Sequence, residues 1–220
     1  MLSRNDNGFF LMVEAGRIDK YSHSLDWERA VFDTIMFDNT VKIAKEYAAK
    51  SSDTLVLVIA DHTHPASIIG TYVEAADGSG AAQPPRERIR LYDAAGFPAY
   101  GPADADGYPT SIDVWRRLAF VFAAYPDHCD AGRPYLTGEN KPAVLGPDTK
   151  VATANEEACA APGIARRMGN LPLRADRGIH SGEDVILTAM GPGAAMVRGR
   201  MDNTAVFRVM ATALGLGGGR

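Results

Sequence analysis

Two short apolar runs, each breaking off into a cluster of carboxylates and imidazoles, constrain this chain more than any other feature. The first, Phe9-Phe10-Leu11-Met12-Val13, ends in Glu14 and opens through a glycine-containing turn to Asp19 and His23. The second, Leu55-Val56-Leu57-Val58-Ile59-Ala60, ends in Asp61 and His62, with His64 two residues on. Runs this short, continuous rather than alternating in apolarity, read as buried strands. Ligands carried on strand ends fall in the crevice where open α/β sheets bind their substrates, and imidazole with carboxylate is a donor set that zinc prefers. Glu14, Asp19, His23, Asp61 and His62 therefore predict a two-zinc hydrolytic centre on an α/β fold.

Between the two runs, residues 26–50 read as one long helix. Phe37, Val41, Ala44 and Ala48 recur at helical spacing, and Asp33, Asp38, Lys42, Lys45 and Glu46 supply a wet face. Strand, helix and strand then make a β-α-β unit, expected as a right-handed parallel crossover. From 70 to 177 the character changes, because 11 of the 13 prolines fall there and periodicity fades; we read the stretch as a loop-rich insert. Its exception, 112–125, predicts a helix carrying Trp115, Leu118, Val121 and Phe122. Order returns with a strand over 185–190, closed by Gly191-Pro192-Gly193, and a helix from about Asn203 to Leu214 with Val206, Val209, Met210, Ala213 and Leu214 as its core stripe. The glycines after it are expected to fray. The expected organisation is 1–69 as the first part of the core with its ligands, 70–177 as the insert, and 178–220 as the return to the core. Residues 1–8 read as the last turn of a helix with an Asn/Gly exit, so the chain looks cut from something longer.

At 220 residues there is material for one domain with a sizeable core. A net charge of −4 offers no general attraction for phosphate and argues against nucleic-acid binding. Any affinity for anions must be local, and bound metals would supply it. No run is long enough to span a membrane, and the first residues lack the basic start and apolar stretch of a signal peptide. Cys129 and Cys159 lie outside any metal-ligand spacing; a disulfide in an oxidising compartment and two buried thiols are both open.

Four of the five histidines fall in three motifs: V-E-x-x-x-I-D-x-x-x-H from Val13 to His23, A-D-H-x-H from Ala60 to His64, and H-x-G-E-D-V from His180 to Val185. In this order the three motifs resemble the alkaline phosphatase family, and the resemblance runs through most of the chain outside its variable middle. It implies a mostly parallel sheet sandwiched between helices, here incomplete at the N-terminal side. It implies that Asp19, His23 and His180 hold one zinc with a fourth position open, that Asp61 and His62 are two ligands of a second zinc, and that Glu14 serves a magnesium. His64 would orient Asp19 or a neighbour, with a direct ligand or a plain loop histidine as the alternatives, and Lys20 would lie near the phosphate, acting through water, with an exposed solvated lysine as its alternative. The family hydrolyses phosphate monoesters by in-line attack of a serine and hydrolysis of the phosphoserine. It implies a homodimer, in the periplasm or secreted for the intact protein.

The sequence departs from the family at one place that matters. The family's nucleophilic serine, its shared metal-bridging aspartate and its phosphate-clamping arginine have no counterpart here, since Ser22, Ser24, Ser67 and Ser181 lie outside the nucleophile's motif. The chain therefore looks like the C-terminal, metal-binding half of a phosphomonoesterase, expecting a complementing N-terminal half. The rival readings are a catalytically silent fragment that binds metal, and a phosphodiesterase or sulfatase of the wider superfamily, against which H-x-G-E-D-V argues. Asp104-Ala105-Asp106-Gly107 with Asp113 resembles part of a calcium loop, but the pattern is incomplete and a polar turn is the alternative.

Overall fold

The computed structural model describes residues 2–73, 89–90, 101–107, 109–110, 116–130, 141–160 and 164–216. The chain divides into two compact units, one of residues 1–16, 32–63 and 182–220, the other of 17–31 and 64–181.

In the first unit a 3-10 turn, Leu2–Arg4, runs into a bend where the Asn5 side-chain amide donates to the Gly8 carbonyl and Gly8 takes a φ of 79°. The expected N-terminal turn and glycine exit are both there. Helix α2 (Trp27–Lys50) begins in the second unit and continues through the first. Its expected stripe holds, with Phe37, Val41 and Ala44 half-buried and Ala48 buried. Strand β1 (Val56–Ile59) pairs antiparallel with the last strand of the chain, Leu187–Met190, from Val56 opposite Met190 to Ile59 opposite Leu187. The C-terminal helix, Asn203–Ala213, is N-capped by Asp202, whose carboxylate accepts from Thr204 N at 3.0 Å. It buries Val209 and half-buries Val206 and Met210, whereas Ala213 and Leu214 stay exposed.

Two expectations for this unit need correction. Phe9–Val13 is not a strand: it runs without ladder partners among the described residues, and Phe10 through Val13 are 51% to 75% exposed. A strand is a relation rather than a property of one segment, since its N–H and C=O groups need a neighbour to pair with. The parallel β-α-β crossover falls with it, because β1 finds its partner antiparallel. All the strand pairs among the described residues are antiparallel. The α/β class stands, as helices and small sheets in one chain, without a parallel sheet sandwich among the described residues.

In the second unit, helix α1 (Arg17–His23) precedes α2. The two are separated at Leu25, which takes the left-handed conformation at φ 59°. Asp26 is buried and caps α2 by accepting from Arg29 N at 3.1 Å, while its other carboxylate oxygen pairs with Arg29 Nε. Strand β2 (Ala66–Val73) lies between β3 (Ile89–Arg90) and β4 (Arg116–Phe122), antiparallel to both, with a bulge between Ile68 and Gly70.

β4 corrects the expected helix over 112–125. The spacing of Leu118, Val121 and Phe122 fits either element, and the Phe-Val-Phe sequence favours the pleated surface once β2 is alongside. Trp115 and the rest of 112–115 lie outside the described residues, as does Asp113 of the calcium-like loop. Four short strands follow, β5 (His128–Asp130) with β8 (Ala165–Arg167) and β6 (Ala143–Leu145) with β7 (Ala152–Ala154). A disulfide joins Cys129 to Cys159, which settles the two open cysteine readings. Around it Ala154, Ala158 and Ile164 form a small core in which Cys129 is 1% exposed.

Candidate metal centre

Four of the residues singled out in the sequence converge in the second unit. Asp19 and His23 sit four apart on α1, so one helical face carries both. His64 lies just before β2, where Ala66 N donates back to its carbonyl at 2.7 Å. Phe122 of β4 meets its ring edge-on, 6.5 Å between centroids. His180 stands on an extended stretch tied to the end of α1, because Gly178 N donates to His23 O at 2.8 Å.

The approach there is close. A methyl group on Gly178 would lie 3.2 Å from Leu25 Cδ2 and 3.3 Å from Ser22 O. Glycine is what lets the two backbones meet.

The donor atoms then fall around one point. Asp19 Oδ1 lies 3.3 Å from His23 Nε2 and 3.1 Å from His180 Nε2, and the two imidazole nitrogens are 3.0 Å apart. Bonds of about 2.0–2.1 Å to a tetrahedral zinc require donors roughly 3.3 Å apart, so this triangle has the size of one face of such a shell. His23 Nδ1 lies 2.6 Å from the Gly178 carbonyl. A carbonyl only accepts, so Nδ1 carries a proton and Nε2 is the nitrogen that faces the cluster.

His64 differs in kind. Its Nε2 donates to Asp19 Oδ1 at 2.8 Å, which uses that nitrogen to hold the carboxylate. Asp19, His64 and His180 each place a ligand atom within 4.8 Å of the others, and the His64 Nε2 contact holds Asp19 Oδ1 within that group.

Electrostatics supports an ionised carboxylate at the centre. Partial burial pushes the Asp19 carboxyl up, but the hydrogen bond from His64 and the fields of His23, His64 and His180 together bring it below the usual carboxylate range. Burial pushes the His64 imidazole down and favours the neutral ring, outweighing the upward pull of its bond to Asp19. A carboxylate and neutral imidazoles are the protonation states in which metals are bound.

The remaining site residues are placed less tightly. Lys20 is exposed on α1, one position from Asp19 and so on a different flank of the helix. Glu14, Asp61 and His62 belong to the first unit. There Asp61 is exposed, accepts from its neighbour His62 N at 3.1 Å, and has Oδ2 3.6 Å from His62 Nε2. Glu14 is exposed at the end of the unpaired Phe9–Val13 segment. Thr63 Oγ1 donates to Glu183 at 2.8 Å, joining the second and third motifs within that unit.

Sequence reasoning missed the Gly178 carbonyl and the Phe122 ring. The first left no signal, since every residue carries a carbonyl. The second was available as an aromatic in a β-prone run.

Comparison with known proteins places these residues in a family. The sequence model described as alkaline phosphatase matches residues 1–216. Membrane-bound alkaline phosphatase of Bombyx mori is 31% identical over 222 residues, which cover 100% of this chain and 32% of that protein. Alkaline phosphatase 4 of Drosophila melanogaster is 31% identical over 220 residues, covering 99% and 32%. Alkaline phosphatase of Escherichia coli is 42% identical over 69 residues, 31% of this chain and 15% of that protein. The chain thus spans about a third of the length of the curated relatives it matches end to end.

Proposed function

This chain belongs to the alkaline phosphatase family, and from that premise we propose that it is the metal-binding portion of a zinc- and magnesium-dependent phosphate monoester hydrolase. The observation that carries the reading is the convergence of Asp19 Oδ1, His23 Nε2 and His180 Nε2, with the His23 tautomer set by Gly178.

Asp19, His23 and His180 would hold a zinc whose fourth position takes phosphate oxygen or water. Asp61 and His62 would contribute to a second zinc, and Glu14 to a magnesium. Bound there, such cations polarise a phosphoryl oxygen and make hydroxyl or water a nucleophile near neutral pH.

The rest of the work falls to the side chains. His64 holds Asp19 in place through its Nε2–H, so the carboxylate presents one fixed oxygen. His23 Nδ1–H donates to Gly178 O, which turns Nε2 toward the cluster. Lys20, exposed beside Asp19, supplies a positive charge toward a phosphate dianion through water. No residue of this chain takes the role of nucleophile. The serine would come from a complementing N-terminal half, and the complete enzyme would be a homodimer with a mostly parallel sheet. The Cys129–Cys159 disulfide supports an oxidising compartment, periplasmic or extracellular.

Metal analysis after dialysis tests the reading. About one tightly held zinc per chain is expected, lost in His23→Ala and in His180→Ala. Hydrolysis of p-nitrophenyl phosphate by this chain alone should be slow, zinc-dependent and indifferent to substitution of any single serine. Zinc content unchanged in both histidine variants would overturn the metal assignment, and a fast rate abolished at one serine would overturn the missing nucleophile.

A further inference from the structure

His64 steadies Asp19 through a single hydrogen bond of 2.8 Å, so the question passes to what steadies His64. The last torsion of a histidine side chain is broad and roughly two-fold, and torsional preference does not by itself keep Nε2–H on Asp19 Oδ1. The His64 side chain is 9% exposed, which leaves packing to supply the constraint. His23 and His180 stand almost perpendicular to its ring, at 85° and 82°, but both belong to the cluster itself. Phe122 comes from the sheet. It is buried and meets the imidazole edge-on at 84°.

Strand register puts Phe122 there. It pairs with Ala66, two residues beyond His64, and Ala123 N beside it donates to Pro65 O at 2.6 Å. A diagonal neighbour across an antiparallel pair lies within reach of an aromatic side chain. The row then continues away from the cluster. Phe120, two residues back and so on the same face of β4, meets Phe122 at 5.6 Å between centroids, and Trp27 stacks on Phe120 at 6.0 Å. Trp27 is the first residue of α2, just past the end of α1. The segment from Asp19 to Trp27 is therefore braced by β4 at both ends, through His64 at one and through Phe120 at the other.

We propose that Phe122 is a positioning residue of the Asp19 centre, the edge of its ring holding the His64 imidazole so that Nε2–H stays on Asp19 Oδ1. Its bearing on zinc rests on the proposed metal function, and its bearing on the hydrogen bond does not. A buried aromatic row is ordinarily core. What marks a positioning ring is that its effect passes through His64.

Phe122→Leu keeps an apolar side chain and gives up the ring. In the zinc-free chain carrying isotope-labelled histidine, NMR follows two imidazole protons, His64 Nε2–H on Asp19 and His23 Nδ1–H on the Gly178 carbonyl, each assigned by its loss in the matching alanine variant. Phe122→Leu should speed exchange of the His64 proton by about 2- to 12-fold, the weight of an edge-on ring pair. The His23 proton should not change. Zinc affinity, read by competition with a chelator, should fall by a similar factor, and the fall should vanish in a His64→Ala background, because a residue that acts through another adds nothing once the other is gone. Phe120→Leu makes a milder change one ring further out and should also act on the His64 proton alone.

Unchanged exchange of the His64 proton in both leucine variants overturns the proposal. So does equal acceleration of the two protons, which would be general loosening, or the same loss of zinc with and without His64. Where Phe122→Leu fails to fold, Phe120→Leu decides. Because the proton readout uses no metal, a chain that takes up no zinc but loses only its His64 protection would sink the metal reading and leave this one standing. Tight zinc with a His64 proton indifferent to both rings would do the reverse.

Discussion

Breaking the Cys129–Cys159 bond should destabilise the second unit by an amount that follows from the loop it closes. The cysteines are 30 residues apart, and the chain-entropy relation for a loop of that length gives about 3.6 kcal/mol at 25 °C. Reduction leaves both sulfurs in the small core with Ala154, Ala158 and Ile164, so it isolates the loop contribution. The double variant Cys129→Ala/Cys159→Ala also gives up sulfur packing at a site that is 1% exposed, and should lose somewhat more. For a unit of this size the loss corresponds to roughly 10 °C in Tm. The assay is a thermal melt by circular dichroism of the oxidised chain, the reduced chain and the double variant, with the thiol state verified by mass. Equal midpoints in all three would refute the reasoning, by showing that the crosslink restricts nothing in the unfolded ensemble that the folded unit depends on.

Gly178→Ala should push the 178–180 segment off α1, costing about 1–3 kcal/mol by overpacking and weakening zinc binding by roughly 10- to 100-fold as His23 loses its carbonyl partner. Competition with a chelator measures the second effect, and unchanged affinity would count against the tautomer argument. His128 gives a pH dependence. Burial pushes its imidazole down, and the Pro126 carbonyl and Asp130 only partly offset this. The unfolded chain therefore takes up the proton first. Stability is fully present above about pH 6.5 and is lost as pH falls through the lowered folded value. Melts of wild type and His128→Gln between pH 7.5 and 4.5 should converge toward acid, and parallel curves would show that His128 contributes nothing to acid sensitivity.

What could be read from the sequence is what local periodicity and spacing encode. The stripe of α2, the strand around Val56–Ile59, the last strand and most of the final helix were legible because a single segment displays the pattern. Phe9–Val13 was misread because its apolarity states a preference and its pairing depends on a neighbour. Residues 116–122 were misread because apolar residues at i, i+3 and i+4 suit a helix until β2 is alongside. Helix α1 is seven residues long, too short to show a period, and in the sequence it reads only as a glycine-containing turn. In the site, the side chains that converge, Asp19, His23, His64 and His180, were legible and their backbone partners were not, since the Gly178 carbonyl beside His23 Nδ1 has no side chain to announce it.

The cluster also has a topological consequence. His64 and His180 both reach Asp19 Oδ1, at 2.8 and 3.1 Å, so the chain between them leaves from and returns to a single point. A segment pinned at both ends is free to change length, because doubling a loop costs only about 0.6 kcal/mol in closure entropy. The proposed ligands are thereby separated from changes in length of the chain between His64 and His180, which alter the closure of that segment only weakly.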